Sequence, residues 1–199
     1  MSLLTKDMKS VLKNGALNQI KELKHKYGVS PLNPVIADIG ANIGYFCESF
    51  LEIYPECKLH AYEPHPDNLE ELRTIQDHRL TIHEYGLFDY DGEFTIGMRS
   101  DGKSNNGTYS IFNTENSINV PFKNADNEVI RPHIVKMDVE GAEANILECE
   151  DFFSETQAIL IELVYKDDFG MNSKTEENLK KLGFKYKEHL GKNDQLWLR

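Results

Sequence analysis

The run Asp38-Ile39-Gly40-Ala41-Asn42-Ile43-Gly44 constrains the fold more than any other stretch of this 199-residue chain. It follows an apolar segment, Val35–Ile39, that reads as a buried strand. It opens a second segment, Asn42–Tyr54, whose apolar spacing reads as a helix stopped by Pro55. Gly40 has no Cβ, so the backbone can turn there and a ligand can approach closely. Gly44 falls in the first helical turn, where it would let the helix pack tightly on the sheet. The helix N-terminus presents free N–H groups. A strand–glycine loop–helix unit belongs to an open α/β sheet that binds its ligand at the carboxyl ends of the strands.

The alternation continues along the chain. Lys58–Glu63, Leu80–Tyr85, Ile134–Asp138 and Ala158–Val164 read as further strands, and Pro66–Gln76, Ala142–Cys149 and Ser173–Leu182 as helices. Pro66 suits a first helical position, and Ser173 with Glu176 forms a capping pattern. Gly92–Met98 reads as an extra strand after an Asp91-Gly92 turn. Phe184–Glu188 and Gln195–Leu198 read as a terminal hairpin that adds an antiparallel strand. These elements imply a doubly wound, Rossmann-like α/β fold with a mostly parallel sheet and right-handed crossovers.

The length suits one domain over 1–199. It would carry an N-terminal helical extension (1–33) and a polar insertion (99–132), loosest at Ser104–Gly107, with short strands at Thr108–Phe112 and Asn119–Phe122. Residues 3–27 have helical periodicity, with Asn14-Gly15 a candidate break and Leu4, Val11 and Leu23 needing burial. The insertion and this helix are expected to close over the acceptor.

The net charge of −11 argues against nucleic acid as a partner, because an acidic protein repels phosphate backbones. Residues 1–30 run against this trend: six lysines face Asp7 and Glu22, a net +4 that leaves −15 for the remainder. The plain reading is the solvated face of an amphipathic helix. Cys47, Cys57 and Cys149 form no CxxC pattern, which suits free thiols in a reducing compartment and no metal centre. No run approaches the roughly 20 apolar residues of a membrane span, and no secretory signal is evident, so a cytoplasmic protein is expected.

Three groups of residues carry chemistry. The glycine loop reads D-x-G-x-N-x-G, with Asn42 where a dinucleotide fingerprint has its second glycine, which disfavours a nicotinamide oxidoreductase. Glu63 ends the second strand, 19 positions beyond Gly44, where an acid can accept hydrogen bonds from a ribose diol. Loop and acid together point to an adenosine-containing ligand. In Val135–Glu143, Asp138 ends the fourth strand beside the cleft, and Glu140 and Glu143 flank the following turn. Glu143 suits a helix N-terminal dipole. Lys136 and Glu162 each stand inside an apolar strand, consistent with either a buried pair or a catalytic role.

The runs Asp38–Gly44, Glu63-Pro64 and Lys136–Glu143 resemble the FkbM family of S-adenosylmethionine-dependent methyltransferases, over about residues 35–165. The resemblance implies a seven-stranded sheet of order 3-2-1-4-5-7-6 with strand 7 antiparallel. It implies S-adenosyl-L-methionine as cofactor and O-methylation of a hydroxyl on a sugar, glycan, lipid or small metabolite. Asp38, Gly40, Asn42 and Gly44 match the positions lining the methionine end, and Glu63 matches the ribose acid. Glu84–Leu87, with Gly86, matches the adenine region, and Asp138 also lies beside the cofactor.

Many members carry a His two residues after the fifth-strand Glu, where this chain has Val164. Transfer to an alcohol needs alignment and a base. The candidates are Asp138, Glu140 and Glu162, with Lys136 a further catalytic residue and His133 and His65 behind them. A divalent-metal-assisted reaction with Asp138 as ligand, and a non-catalytic cofactor-binding module, are the competing readings.

Overall fold

In the computed structural model the described residues are 6–98, 109–110, 115–163, 171–190 and 194–199. The elements in chain order are α1 (Lys6–His25), β1 (Val35–Ile39), α2 (Tyr45–Ile53), β2 (Lys58–Tyr62), α3 (Pro66–Leu72) and β3 (Leu80–His83). Then come β4 (Gly86–Phe88), β5 (Gly92–Met98), β6 (Tyr109–Ser110), β7 (Glu115–Asn124), β8 (Ile134–Met137) and α4 (Glu143–Ile146). The chain continues through β9 (Ala158–Glu162), α5 (Met171–Lys181), β10 (Lys185–His189) and β11 (Asp194–Leu198).

Seven strands form one sheet in the order β10-β11-β9-β8-β1-β2-β3. Counted within that sheet alone, and read from β3, this is the expected 3-2-1-4-5-7-6. β1, β2, β3, β8 and β9 run parallel, and β11 is antiparallel to both of its neighbours. The chain as a whole departs in one respect. β4–β7 form a second sheet of order β4-β7-β5-β6 between the third and fourth strands of the first. β7 is ten residues long, not the short strand expected at Asn119–Phe122, and the three-residue β4 was too short to show a period.

Alternation along each strand divides the main sheet into two apolar faces. Ile36, Leu59, Ile134, Leu160 and Leu196 pack with Ile20 and Leu23 of α1 and with Cys47 and Phe50 of α2. Ile39, Tyr62, Met137, Ile161 and Trp197 pack with the second sheet through Leu87, Ile96 and Phe122.

α1 runs unbroken through Asn14-Gly15. A glycine inside a helix costs about 1 kcal/mol, and burial of Ala16, Ile20 and Leu23 outweighs it. Val11 is 69% exposed, contrary to the expectation that it needs cover, and Leu4 lies outside the described residues. Three of the N-terminal lysines reach across to neighbouring elements. Lys9 pairs with Glu71 (2.6 Å), Lys13 with Glu48 (3.0 Å), and the Lys24 ammonium donates to the Ile53 carbonyl at the end of α2 (2.6 Å).

Two helix starts move. α2 begins at Tyr45 because Asn42 (φ 52°) and Gly44 (φ 92°) hold left-handed conformations in the loop. α5 begins at Met171, so Ser173 lies inside the first turn and does not cap it. No helix among the described residues is long and apolar enough to cross a membrane. The three cysteines are free and buried.

Candidate active site

The carboxyl ends of β1, β2 and β8 floor a cleft lined by both polar and apolar side chains. Its geometry begins at Gly40, which has φ 78°; a Cβ there would lie 1.9 Å from the Asp138 carbonyl oxygen. The ends of β1 and β8 therefore meet backbone to backbone, joined by the Asp138 N–H donating to the Ile39 carbonyl (3.0 Å). A side chain at position 40 strikes the protein before any ligand. Gly44 serves a different purpose from the one expected. Its missing Cβ would fall 2.4 Å from Ile75 and 2.8 Å from Leu72, so it lets α2 pack against the end of α3, not the sheet.

Glu63 is the central acid of the cleft and is 5% exposed. Its Oε2 accepts the Asn42 N–H and its Oε1 the His65 N–H, both at 2.8 Å, and the Asn68 side chain adds a further bond. Burial pushes its carboxyl up to about 7, against the lowering effect of these donors. The Asn42 side chain bonds the Ile43 N–H (2.7 Å), which fixes the left-handed turn. Asp38 lies behind the loop at 1% exposure. Burial raises it to about 6, opposed by the Cys47 thiol, which donates to it at 3.1 Å, and by the charge of Lys136.

The segment after β8 forms the facing wall. Asp138, Val139 and Glu140 line the cleft, with Glu140 at φ 53° and Gly141 at φ 116°. Glu143 holds this turn. It is 4% exposed and accepts the Gly141 N–H (2.9 Å) and the Val139 N–H (3.3 Å), and burial raises it to about 6. Its role is thus to clamp a loop, since α4 has only four residues.

The second sheet closes the side of the cleft with Gly86, Leu87, Ile96 and Phe122. A Cβ on Gly86 would lie 2.3 Å from the Phe122 ring, so this glycine admits an aromatic side chain.

A methyltransferase FkbM domain matches residues 38–186. The chain belongs to the FkbM methyltransferase-domain family. The hexuronic acid methyltransferase AglP of Haloferax volcanii is 30% identical over 124 residues, covering 57% of this chain and 48% of AglP, so the match spans about half the relative's length. Among solved structures, the precorrin-6y C5,15-methyltransferase of Geobacter metallireducens aligns with TM-score 0.53 and 14% identity, over 99% of this chain and 88% of that one. Fibrillarin of Aeropyrum pernix, solved with bound S-adenosyl-L-methionine, aligns with TM-score 0.54 and 13% identity, over 94% of this chain and 75% of that one. At these identities the structural likeness establishes the fold. The cofactor of this FkbM domain is S-adenosyl-L-methionine.

The FkbM cleft brings together Gly40, Asn42, Glu63, Gly86, Asp138 and Glu140. Asp38 and Gly44 support it from behind. Lys136 and Glu162 do not line it. Lys136 is 1% exposed, and its Nζ lies 3.1 Å from Asp194 Oδ1 and 3.7 Å from Asp138 Oδ2, so Glu162 is not its closest partner.

The two histidines hold structural bonds. His65 Nδ1 accepts the Asp67 N–H (3.2 Å) as the cap of α3, and His133 Nδ1 accepts the Val35 N–H (3.0 Å) where β1 begins. Val164 and the Ser100–Asn106 segment lie outside the described residues.

Sequence reasoning missed Tyr62, Asn68, Ile96 and Phe122 as cleft residues. Asn68 had a legible signal, since it lies one turn into a helix that starts just after Glu63-Pro64. Phe122 and Ile96 had none, because only the second sheet carries them to the cleft.

Proposed function

We propose that this chain transfers the methyl group of S-adenosyl-L-methionine to a hydroxyl of a sugar, glycan or small hydroxylated metabolite. The observation that carries the reading is Glu63, a carboxylate buried beside the glycine loop yet facing the cleft. Its place at the end of β2 suits a ribose diol, whose two hydroxyls need an acceptor there. Asp38, Gly40, Asn42 and Gly44 form the methionine side, and Gly86 with Leu87 and Phe122 forms a flat apolar slot for the adenine. When bound, the cofactor supplies a methyl group activated by an adjacent sulfonium.

The chain's own residues must align the acceptor and take its proton. Asp138 and Glu140 are the cleft carboxylates placed for the second task, and Glu162 lies on the next strand. A sugar acceptor is supported by the relative named as a hexuronic acid methyltransferase. The reading treats 1–199 as one domain in which α1 and the inserted sheet flank the acceptor.

Calorimetry should give binding of S-adenosyl-L-methionine and none of NAD. A methyl-transfer screen against neutral and acidic sugars should then find the acceptor class. Binding of NAD alone, or cofactor binding with no transfer to any hydroxylated compound, would overturn the proposal.

A further inference from the structure

A carboxylate has about four lone-pair positions, shared between its two oxygens. At Glu63 the protein itself occupies three of them. The Asn42 N–H donates to Oε2 and the His65 N–H to Oε1, each at 2.8 Å, and the Asn68 side chain makes the third bond. One position is left for a ligand. A ribose diol brings two hydroxyls, so a second acceptor must stand beside the carboxylate.

Asn68 has the place and the free atom. His65 caps α3 and Pro66 opens it, so Asn68 is the third residue of the helix and turns back toward the acid it follows. It is 5% exposed and lines the cleft. Its bond to Glu63 favours the charged carboxylate, which can only accept, so the amide presents Nδ2 there. That orientation leaves the amide oxygen, Oδ1, pointing elsewhere. Oδ1 accepts no hydrogen bond from the described residues, and they do not enclose it. The neighbouring side-chain acceptors are committed: Asn42 Oδ1 to the Ile43 N–H (2.7 Å) and His65 Nδ1 to the Asp67 N–H (3.2 Å).

We propose that Asn68 is a cofactor-specificity residue: Glu63 accepts one hydroxyl of the ribose diol and Asn68 Oδ1 accepts the other. One amide then ties the acid in place through Nδ2 and reads the ligand through Oδ1. Both hydroxyls are required, each by a different side chain. The assignment of the second hydroxyl rests on the placement of the ribose at Glu63 given above; the count of lone pairs does not.

The test is calorimetry with S-adenosyl-L-homocysteine, which carries the same ribose and no transferable methyl, and with its 2′-deoxy and 3′-deoxy analogues. Wild type, Asn68→Leu and Glu63→Gln are compared. Removing either hydroxyl should weaken binding to the wild type about fivefold or more. Asn68→Leu should weaken binding of the parent compound by about fivefold to tenfold, yet bind one of the two analogues within about twofold of the wild type. Glu63→Gln should become indifferent to the opposite hydroxyl. A residue that only held Glu63 in place would make both variants indifferent to the same hydroxyl, and that result overturns the proposal. So does an Asn68→Leu variant that responds to both hydroxyls as the wild type does. If Asn68→Leu does not fold, Asn68→Ala takes its place in the same comparison. Absence of binding of the parent compound to the wild type would instead sink the placement of the cofactor at Glu63.

Discussion

The main sheet carries a polar network on each face, half-buried toward the second sheet and buried toward α1 and α2, and the two are built on opposite terms. On the face toward the second sheet, His60, His83, Tyr85, Tyr62 and Glu128 form a closed chain. Tyr85 and Tyr62 each donate a hydroxyl to Glu128 (2.9 and 3.1 Å), His83 Nδ1 bonds Tyr85 (3.0 Å), and His60 Nδ1 bonds His83 Nε2 (3.0 Å). A carboxylate can only accept, so each proton has one consistent position: His83 carries it on Nδ1 and His60 on Nδ1. Tyr62 also stacks on His83 at 4.4 Å between ring centroids. On the other face the row around Lys136 holds four acids (Asp38, Asp138, Glu162 and Asp194) to one cation, with the ammonium 3.1 Å from Asp194 Oδ1 and 3.7 Å from Asp138 Oδ2. A network that satisfies itself stabilises the fold. One that gathers several acids around a single buried lysine depends on that one charge, and its loss leaves carboxylates without a counter-ion.

The largest effect is expected where both faces meet. Gly40→Val combines a positive φ with a Cβ placed inside the Asp138 carbonyl, and should yield little folded protein. A soluble, cooperatively unfolding variant would show that the β1–β8 seam can open. Next, Lys136→Met should lower unfolding stability at neutral pH by about 3–5 kcal/mol, the cost of stripping the cation from a buried ion pair. Urea unfolding at pH 5, below the raised value of Asp38 at about 6, should recover part of the loss.

Glu63→Gln should weaken cofactor binding by about 1.5–3 kcal/mol, roughly ten- to more than a hundredfold, by calorimetry. It should also cost the free protein about 1–3 kcal/mol, since the amide nitrogen cannot accept the backbone N–H that one of the two carboxylate oxygens now takes. Glu128→Gln is expected to cost about 1–2 kcal/mol of stability while leaving cofactor affinity within a fewfold. A large loss of affinity there would mean that the closed network also serves the cleft.

The smallest effect is a pair of opposed pH slopes. Glu63 at about 7, and Asp38 and Glu143 at about 6, bind protons in the folded state that the unfolded chain has released. Their contribution to stability is therefore present at low pH and lost as pH rises toward 7. His60 and His83 are lowered by burial, so the unfolded chain binds the extra protons and their contribution is lost as pH falls below about 6.5. Thermal unfolding from pH 5 to 8 in wild type, Glu63→Gln and His83→Asn should separate the two. Parallel curves for all three would contradict the assignment.

Most of the main sheet was legible because its strands are short apolar runs separated by helices, and Val35–Ile39 was read with its observed limits. The acids at strand ends were legible for the same reason: strand ends locate the cleft. What escaped depended on contacts distant in sequence. Gly44 looked like a sheet-packing glycine, but its neighbours are Leu72 and Ile75, which no local pattern couples to it. Gly86 was matched to the adenine region without its physical reason, the Phe122 ring. Lys136 stood out as a cation in an apolar strand, yet its nearest acid comes from β11, and Glu162 in the adjacent strand was the natural guess. Val11 was assigned burial by periodicity, but in an amphipathic helix periodicity identifies a stripe and does not fix its edges.

The place of β11 has a consequence for assembly. β11 lies between β9 and β10 although it follows both in the chain, so β10 has no sheet edge to join until β11 has docked on β9. β11 joins β9 across 32 to 40 positions of chain (Glu162 to Asp194, Ala158 to Leu198), whereas β8 must find β1 across 98 (Ile36 to Ile134). Contacts nearer in sequence form faster, so the strand that brings Asp194 beside Lys136 is expected to dock on β9 before the β1–β8 seam closes. Pulse-labelled hydrogen exchange should find β9, β10 and β11 becoming protected together, ahead of β1.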